Sequence, residues 1–259
     1  MKNSPATTQS FSVKNGDIIR LGDHILACGD ATKVDIAALC PHGIDLVLTD
    51  PPYAVDYVES KRGLQEVSVG KDIANDGHMT DNEYTAFSKA WLGPTLPHLA
   101  QKNSVYVFNS DKMVFALRQA FVELGMKTAQ LLIWVKSQPV MGRLDYLPQH
   151  ELILYGWYGT HEFHRGKDKS VMFAPKPARS ALHPTMKPVS LLRRLILNST
   201  KVGGVVYDAF GGSGSTLIAC EHTKRTCIMV EMDPEYCTVI VERWKKLTDH
   251  EPETIRHAK

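Results

Sequence analysis

The chain has 259 residues, 43% of them apolar and 22% charged, with a formal net charge of only +2. That length and balance suit one globular α/β domain with an embedded module and argue against a second independent domain. A near-neutral total excludes a uniformly basic nucleic-acid scaffold, so any role on DNA has to rest on local charge.

Residues 1–10 and 248–259 are polar and aperiodic, and both read as frayed, disordered tails. The N-terminus has no basic-then-apolar leader, and no apolar run approaches the roughly 20 residues that span a bilayer, so a cytoplasmic protein without membrane contact is expected. Five cysteines without CxxC spacing offer neither a zinc site nor a disulfide framework, and no metal is implied.

Ile25 to Cys28, before Gly29-Asp30, predicts a short strand ending in a turn; Val34 to Leu39 predicts a short helix. Ile44 to Leu48 is a five-residue run bounded by turn signals, too short for a core helix, and reads as a buried strand. Periodicity then disappears from Asp56 to Asn75, a loop long enough to be functional. Thr80-Asp81-Asn82-Glu83 has capping-box spacing and opens a helix to about Leu92. Val105 to Phe108 follows as a strand, Lys112 to Leu124 as a helix, and Ala129 to Val135 and Glu151 to Tyr155 as further strands. A polar, basic stretch runs from Gly159 to Leu182. Beyond it lie a helix from Val189 to Ser199, a strand from Val205 to Tyr207, a helix from Ser215 to His222, a strand from Cys227 to Val230 and a helix from Pro234 to Leu247. Strands alternating with helices predict an α/β fold: a mostly parallel sheet with helices on both faces.

Two segments stand where ligands bind in such sheets, just beyond buried strands. Asp50-Pro51-Pro52-Tyr53 follows the Ile44 strand and supplies a carboxylate, a proline that has no N–H to donate, and an aromatic face. Alone it is equally well a turn, because Asp and Pro both favour turns. Asp208-Ala209-Phe210-Gly211-Gly212-Ser213-Gly214 follows the Val205 strand and is a glycine-rich turn feeding a helix at Ser215, whose N–H groups can face a ligand. It fits neither GxGxxG nor a P-loop, which needs Gly-Lys before Ser or Thr. Glu231 closes the next strand, one strand-turn-helix-strand unit later; its bland reading is a solvated strand end.

Together with His183-Pro184-Thr185-Met186-Lys187-Pro188, these segments resemble the S-adenosylmethionine-dependent amino-group DNA methyltransferases, in the permuted order that puts the catalytic tetrapeptide before the cofactor turn. The resemblance covers roughly residues 18 to 247 and implies a Rossmann-like methyltransferase fold in a single domain. It also implies catalysis by Asp50, Pro51, Pro52 and Tyr53 on a base flipped out of DNA, with Tyr53 stacking on it. An amine lone pair delocalised into the ring has to be localised, which calls for acceptors: the Asp50 carboxylate and the Pro51 carbonyl. Asp at the first position goes mostly with adenine N6 and Ser with cytosine N4, so the resemblance favours adenine.

The cofactor S-adenosyl-L-methionine is expected on Asp208, Phe210, Gly211, Gly212, Ser213, Gly214 and Ser215, with Asp50 at the methyl end. Phe210 would lie against its sulfonium. Glu231, followed by Met232, would accept from its ribose hydroxyls. His183, Thr185 and Lys187 would donate to its carboxylate, unless the segment is merely a turn into the next helix. Asp30 and Ala31 match a family segment at the adenine end, but Asp30 before a helix is as well explained as an N-cap. Ala209, where relatives often have proline, removes rigidity and no ligand.

Lys136 to Lys187 holds eight Lys and Arg against four acids, a local excess of +4 interleaved with aromatics. Arg165, Lys167, Lys169, Lys176 and Arg179 are the expected phosphate-binding residues, with residues 56–75 and 160–180 as target-recognition segments. Trp134-Val135-Lys136 and Gln149-His150-Glu151 resemble strings from a phage- and plasmid-associated branch of the family and carry no assigned chemistry. A homodimer and a partner restriction endonuclease are possible companions. Rival readings are cytosine-N4 methylation and, from another class, an inactive DNA-binding accessory subunit.

Overall fold

The computed structural model describes residues 11–53, 78–141, 145–175 and 186–256. The expected recognition segment 56–75, and Lys176, Arg179, His183 and Thr185, lie outside the described residues.

The chain runs β1 (Ile18–Leu21), β2 (His24–Cys28), α1 (Ile36–Leu39), β3 (Ile44–Thr49), α2 (Asp81–Leu92), β4 (Leu99–Asn109), α3 (Val114–Glu123), β5 (Lys127–Val135) and β6 (His150–Trp157). It continues through β7 (Val171–Phe173), α4 (Val189–Ser199), β8 (Val205–Asp208), α5 (Ser215–Thr223), β9 (Thr226–Glu231), α6 (Pro234–Thr248) and β10 (Glu253–Arg256). The strands form one sheet in the order β10-β1-β2-β9-β8-β3-β4-β6-β5-β7. Its centre, β2-β9-β8-β3-β4, is parallel; β6 is antiparallel to both its neighbours, and β1 to both of its own.

Side-chain alternation divides the core into two layers. Leu46, Leu48, Tyr106, Phe108 and Met229 face α4, α5 and α6, meeting Leu192, Ile196, Leu217 and Trp244. Val47, Val105, Val107, Ile228 and Val230 face the other way and meet Tyr84 and Trp91 of α2 and Leu117 and Phe121 of α3. Helices thus cover both faces, as the alternation of elements predicts.

Local chemistry sets the helix ends. Thr80 and Glu83 form the expected capping box on α2: the Thr80 hydroxyl accepts from Glu83 N, and Thr80 N donates to Glu83 Oε2 at 2.8 Å. Asp233 caps α6, whose second signal is Pro234 in the first turn.

Three strands escaped the sequence reading: β1, β7 and β10. β10 corrects the expected tail, because Glu253–Arg256 pair antiparallel with β1 and cover what would otherwise be a bare sheet edge. The segment is polar because only one side of the strand is paired and its residues remain largely exposed.

Candidate active site

The parallel strands β2, β9, β8, β3 and β4 all end on one side of the sheet; from the adjacent pair β3 and β8 the chain continues outward in opposite directions, β3 to β4 and β8 to β9, the switch point where open α/β sheets bind ligands. A cavity of about 400 Å³ occupies it. Among the described residues its wall includes Asp50 to Tyr53, Asp208 and Phe210 to Ser213, Ser215, Glu231 and Met232, and Asp30 and Ala31. Segments far apart in the chain therefore line one cavity.

The glycine turn is held from below. Gly211 N donates to Val230 O at 2.8 Å, and a Cβ on Gly211 would come within 2.7 Å of the Met229 side chain, so only glycine lets the turn lie this close to β9. Gly214 adopts φ +79 and is the N-cap of α5 without any side-chain cap, which leaves the first N–H groups of that helix for a ligand.

Glu231 is more than a solvated strand end. Its Oε2 accepts from Gly212 N at 2.7 Å and its Oε1 from Asp233 N at 2.8 Å, so one carboxylate ties the glycine turn to the turn after β9. Burial raises its pKa above the ordinary carboxylate value despite these bonds. Asp208 is fully buried; its Oδ1 accepts from Thr49 Oγ1 at 2.7 Å and from Phe210 N at 3.1 Å. Burial pushes it up to about 7. Phe210 packs its ring against Trp91 and Phe87 of α2 at centroid distances of 5.4 and 5.9 Å, which fixes it at the cavity wall. Asp30 does not cap α1, where Asp35 does so. It closes its own turn instead, accepting from Thr32 N and Oγ1 at 2.9 and 2.7 Å, and it pairs with Lys33.

Across the cavity an ionic cluster surrounds the tetrapeptide, with Lys136 and Lys187 buried and Asp50 and Glu151 partly exposed to the cavity. Tyr53 Oη donates its one hydrogen to Asp50 Oδ1 at 2.6 Å and also lies within hydrogen-bond reach of Glu151 Oε2, at 3.2 Å. Lys187 Nζ donates to Asp50 Oδ2 and lies 3.1 Å from Glu151 Oε2, while Lys136 Nζ lies 2.9 Å from Glu151 Oε1. The sequence expectation gave Lys187 to the cofactor carboxylate; Lys187 lines the cavity, and its ammonium lies between the carboxylates of Asp50 and Glu151. Burial would raise Glu151, but Lys187 and Lys136 hold it at about 2. Burial would lower Lys187, but Asp50 and Glu151 raise it above its ordinary value. Burial, with Glu151 nearby, leaves the Asp50 carboxyl above its ordinary value even beside Lys187, so it is a more basic acceptor than a surface aspartate. Burial and the two carboxylates raise Tyr53 well above its usual value, so its hydroxyl stays a donor.

Lys136, Glu151 and Phe87 carry the site without having been assigned to it from sequence. Lys136 directly follows the apolar run Leu131 to Val135 of β5, and Glu151 directly precedes the apolar run Leu152 to Tyr155 of β6, so the two stand at the same end of a paired set of strands, but neither run shows that they meet.

The basic stretch lies elsewhere. The loop between β6 and β7 is anchored by Asp168 to Arg194 and Asn198 in the second half of α4, and by His164 N to Asn198 O at 2.7 Å. Arg194 and Asn198 lie towards the end of α4 remote from Lys187, and Thr160 bridges to the start of β4. Arg165, Lys167 and Lys169 are thus carried away from the cavity, and no described residue between 153 and 185 lines it.

The fold and this wall define a methyltransferase of the doubly wound α/β class, with a glycine turn facing an acidic-aromatic tetrapeptide. The DNA methylase family of N6/N4 type matches residues 44–242, and the chain belongs to that family, whose methyl donor is S-adenosylmethionine. It is 28% identical over 249 residues to the Type II methyltransferase M.HpaI of Haemophilus parainfluenzae, covering 85% of this chain and 74% of that one. Two solved structures share the fold: the M1.HpyAVI–SAM complex (TM-score 0.63, 20% identity, 84% of this chain and 98% of that one) and the PvuII cytosine-N4-specific DNA methyltransferase (TM-score 0.67, 15% identity, 93% and 92%).

Proposed function

We propose that this chain transfers a methyl group from S-adenosylmethionine to the exocyclic N6 of a flipped-out adenine in DNA. The observation that carries the reading is the cavity that joins the Asp50-Pro51-Pro52-Tyr53 wall to the Gly211 turn. The lining suits this cofactor: Asp111 and Glu231 place carboxylates on it, and its two lysines are taken up by Asp50 and Glu151. Such a wall attracts a cationic ligand with free hydroxyls and disfavours a phosphate.

When bound, the cofactor supplies an electrophilic methyl group on a sulfonium. The chain's own groups do the rest. Asp50, raised in basicity by burial, accepts a hydrogen bond from the target amine and favours the cation that develops on nitrogen. The Tyr53 ring offers a stacking face, with its hydroxyl fixed by Asp50 and Glu151. Glu231 holds the glycine turn and keeps unfilled acceptor capacity for a ribose hydroxyl. The Asp at position 50 supports adenine over cytosine, and the Type II designation of the relatives supports a restriction partner.

The test is methyl incorporation into duplex DNA, followed by nucleoside analysis of the product. N6-methyladenine is expected. N4-methylcytosine would overturn the adenine assignment, and cofactor binding without transfer to DNA would return the chain to an accessory subunit.

A further inference from the structure

Both Asp50 oxygens are already engaged. Oδ1 accepts from Tyr53, and Oδ2 accepts from the Lys187 ammonium. An ammonium on that carboxylate opposes the work proposed for it, because a positive charge there repels the cation that develops on the target nitrogen. Methyl transfer therefore needs Lys187 drawn off Asp50 at the moment the amine arrives.

Glu151 is placed to do this. One of its oxygens, Oε2, lies 3.1 Å from Lys187 Nζ and 3.2 Å from Tyr53 Oη, the same two donors that occupy Asp50. Its other oxygen is fixed by Lys136 at 2.9 Å, which orients the carboxylate and keeps it ionised. The Lys187 ammonium lies beside the rings of Phe108 and Tyr53, with centroids at 5.2 and 5.6 Å, and its side chain is only 8% exposed, so the carboxylates of Asp50 and Glu151 are its neighbouring acceptors. Buried ion clusters of this kind contribute little net stability compared with apolar packing, which leaves function as the reason to keep one beside the tetrapeptide.

We infer that Glu151 is a positioning residue of the methyl-transfer site: it receives Lys187 and the Tyr53 hydroxyl as Asp50 turns to the target amine, and Lys136 holds it in place for that exchange. This rests on the methyltransferase reading above.

The experiment is single-turnover methyl transfer to duplex DNA by wild type, Glu151→Gln and the double variant Glu151→Gln/Lys136→Met, with cofactor affinity and KM for DNA measured alongside. Loss of one charge-assisted acceptor should slow transfer by about tenfold or more in Glu151→Gln. Cofactor affinity and KM should stay within about twofold, since the exchange acts on the transition state. The double variant keeps the buried charges balanced through Lys187 and Asp50, so it folds even where the single variant does not, and it should be equally slow. Transfer by Glu151→Gln at the wild-type rate, or recovery of that rate in the double variant, would overturn the inference and leave the methyltransferase reading intact. A wild type that transfers nothing to DNA would overturn both.

Discussion

At the scale of single residues, Asp50 and Asp208 show how position sets the work of one side-chain type. Asp50 stands at the cavity wall and is met by Tyr53 and Lys187; Asp208 lies beneath the glycine turn and is met by Thr49 and Phe210 N. Asp50→Asn keeps an oxygen acceptor but loses the charge that favours a cationic nitrogen. Its transfer rate should fall by about 10²–10³, the usual loss for one preorganised polar group, with folding unchanged by circular dichroism. Asp208 makes a different prediction. Burial raises its folded pKa to about 7, above its unfolded value, so over the intervening pH range the folded state holds a proton that the unfolded state has lost. Wild-type stability attributable to this group is present at acid pH and is lost as pH rises from about 4 to 7. Asp208→Asn lacks that loss, so its stability relative to wild type should rise across this window and level off above it; urea titrations at several pH values are the check.

At the scale of elements, the glycine turn between β8 and α5 is the joint on which the cavity depends. Gly214 sits at φ +79, and a Cβ there would approach Ile240 Cγ1 of α6 to 2.9 Å. Gly214→Ala combines left-handed strain with overpacking and should cost about 1–3 kcal/mol. At about 2–4 °C per kcal/mol for a domain of this size, calorimetry should show a Tm several degrees lower, together with weaker cofactor binding. The same turn is held from its other side by α2, whose Phe87 and Trp91 seat Phe210, so a helix with no residue in either motif shapes the cofactor end.

At the scale of the molecule, the two ends of the sheet have different surfaces. The chemistry gathers at the end where the parallel strands terminate, and the loop with Arg165, Lys167 and Lys169 is fastened to the later half of α4. Neutralising these three together should therefore leave both transfer and the salt dependence of DNA binding as in wild type. If they did hold phosphates, each charge removed would flatten the slope of log K against log salt by about 0.9, which titrations at several salt concentrations resolve.

The sequence by itself determined the alternation of strands and helices, the capping box on α2 and the two loops that face each other, because each is written in neighbouring residues: turn chemistry, a helical or two-residue period, and order along the chain. It also carried the family, through motifs that are contiguous strings. Only the tertiary structure decided which charges meet. Asp50, Lys136, Glu151 and Lys187 come from four separate segments, and nothing in local pattern distinguishes a lysine on solvent from one closed between two carboxylates. The same holds for β10, whose polar residues become a strand because β1 offers an edge, and for the basic loop, whose position was decided by Asp168 finding Arg194. Local pattern specifies what each segment can form. Through-space pairing selects its partner, and here that selection places Glu151 beside Asp50 and carries Arg165 away from the cavity.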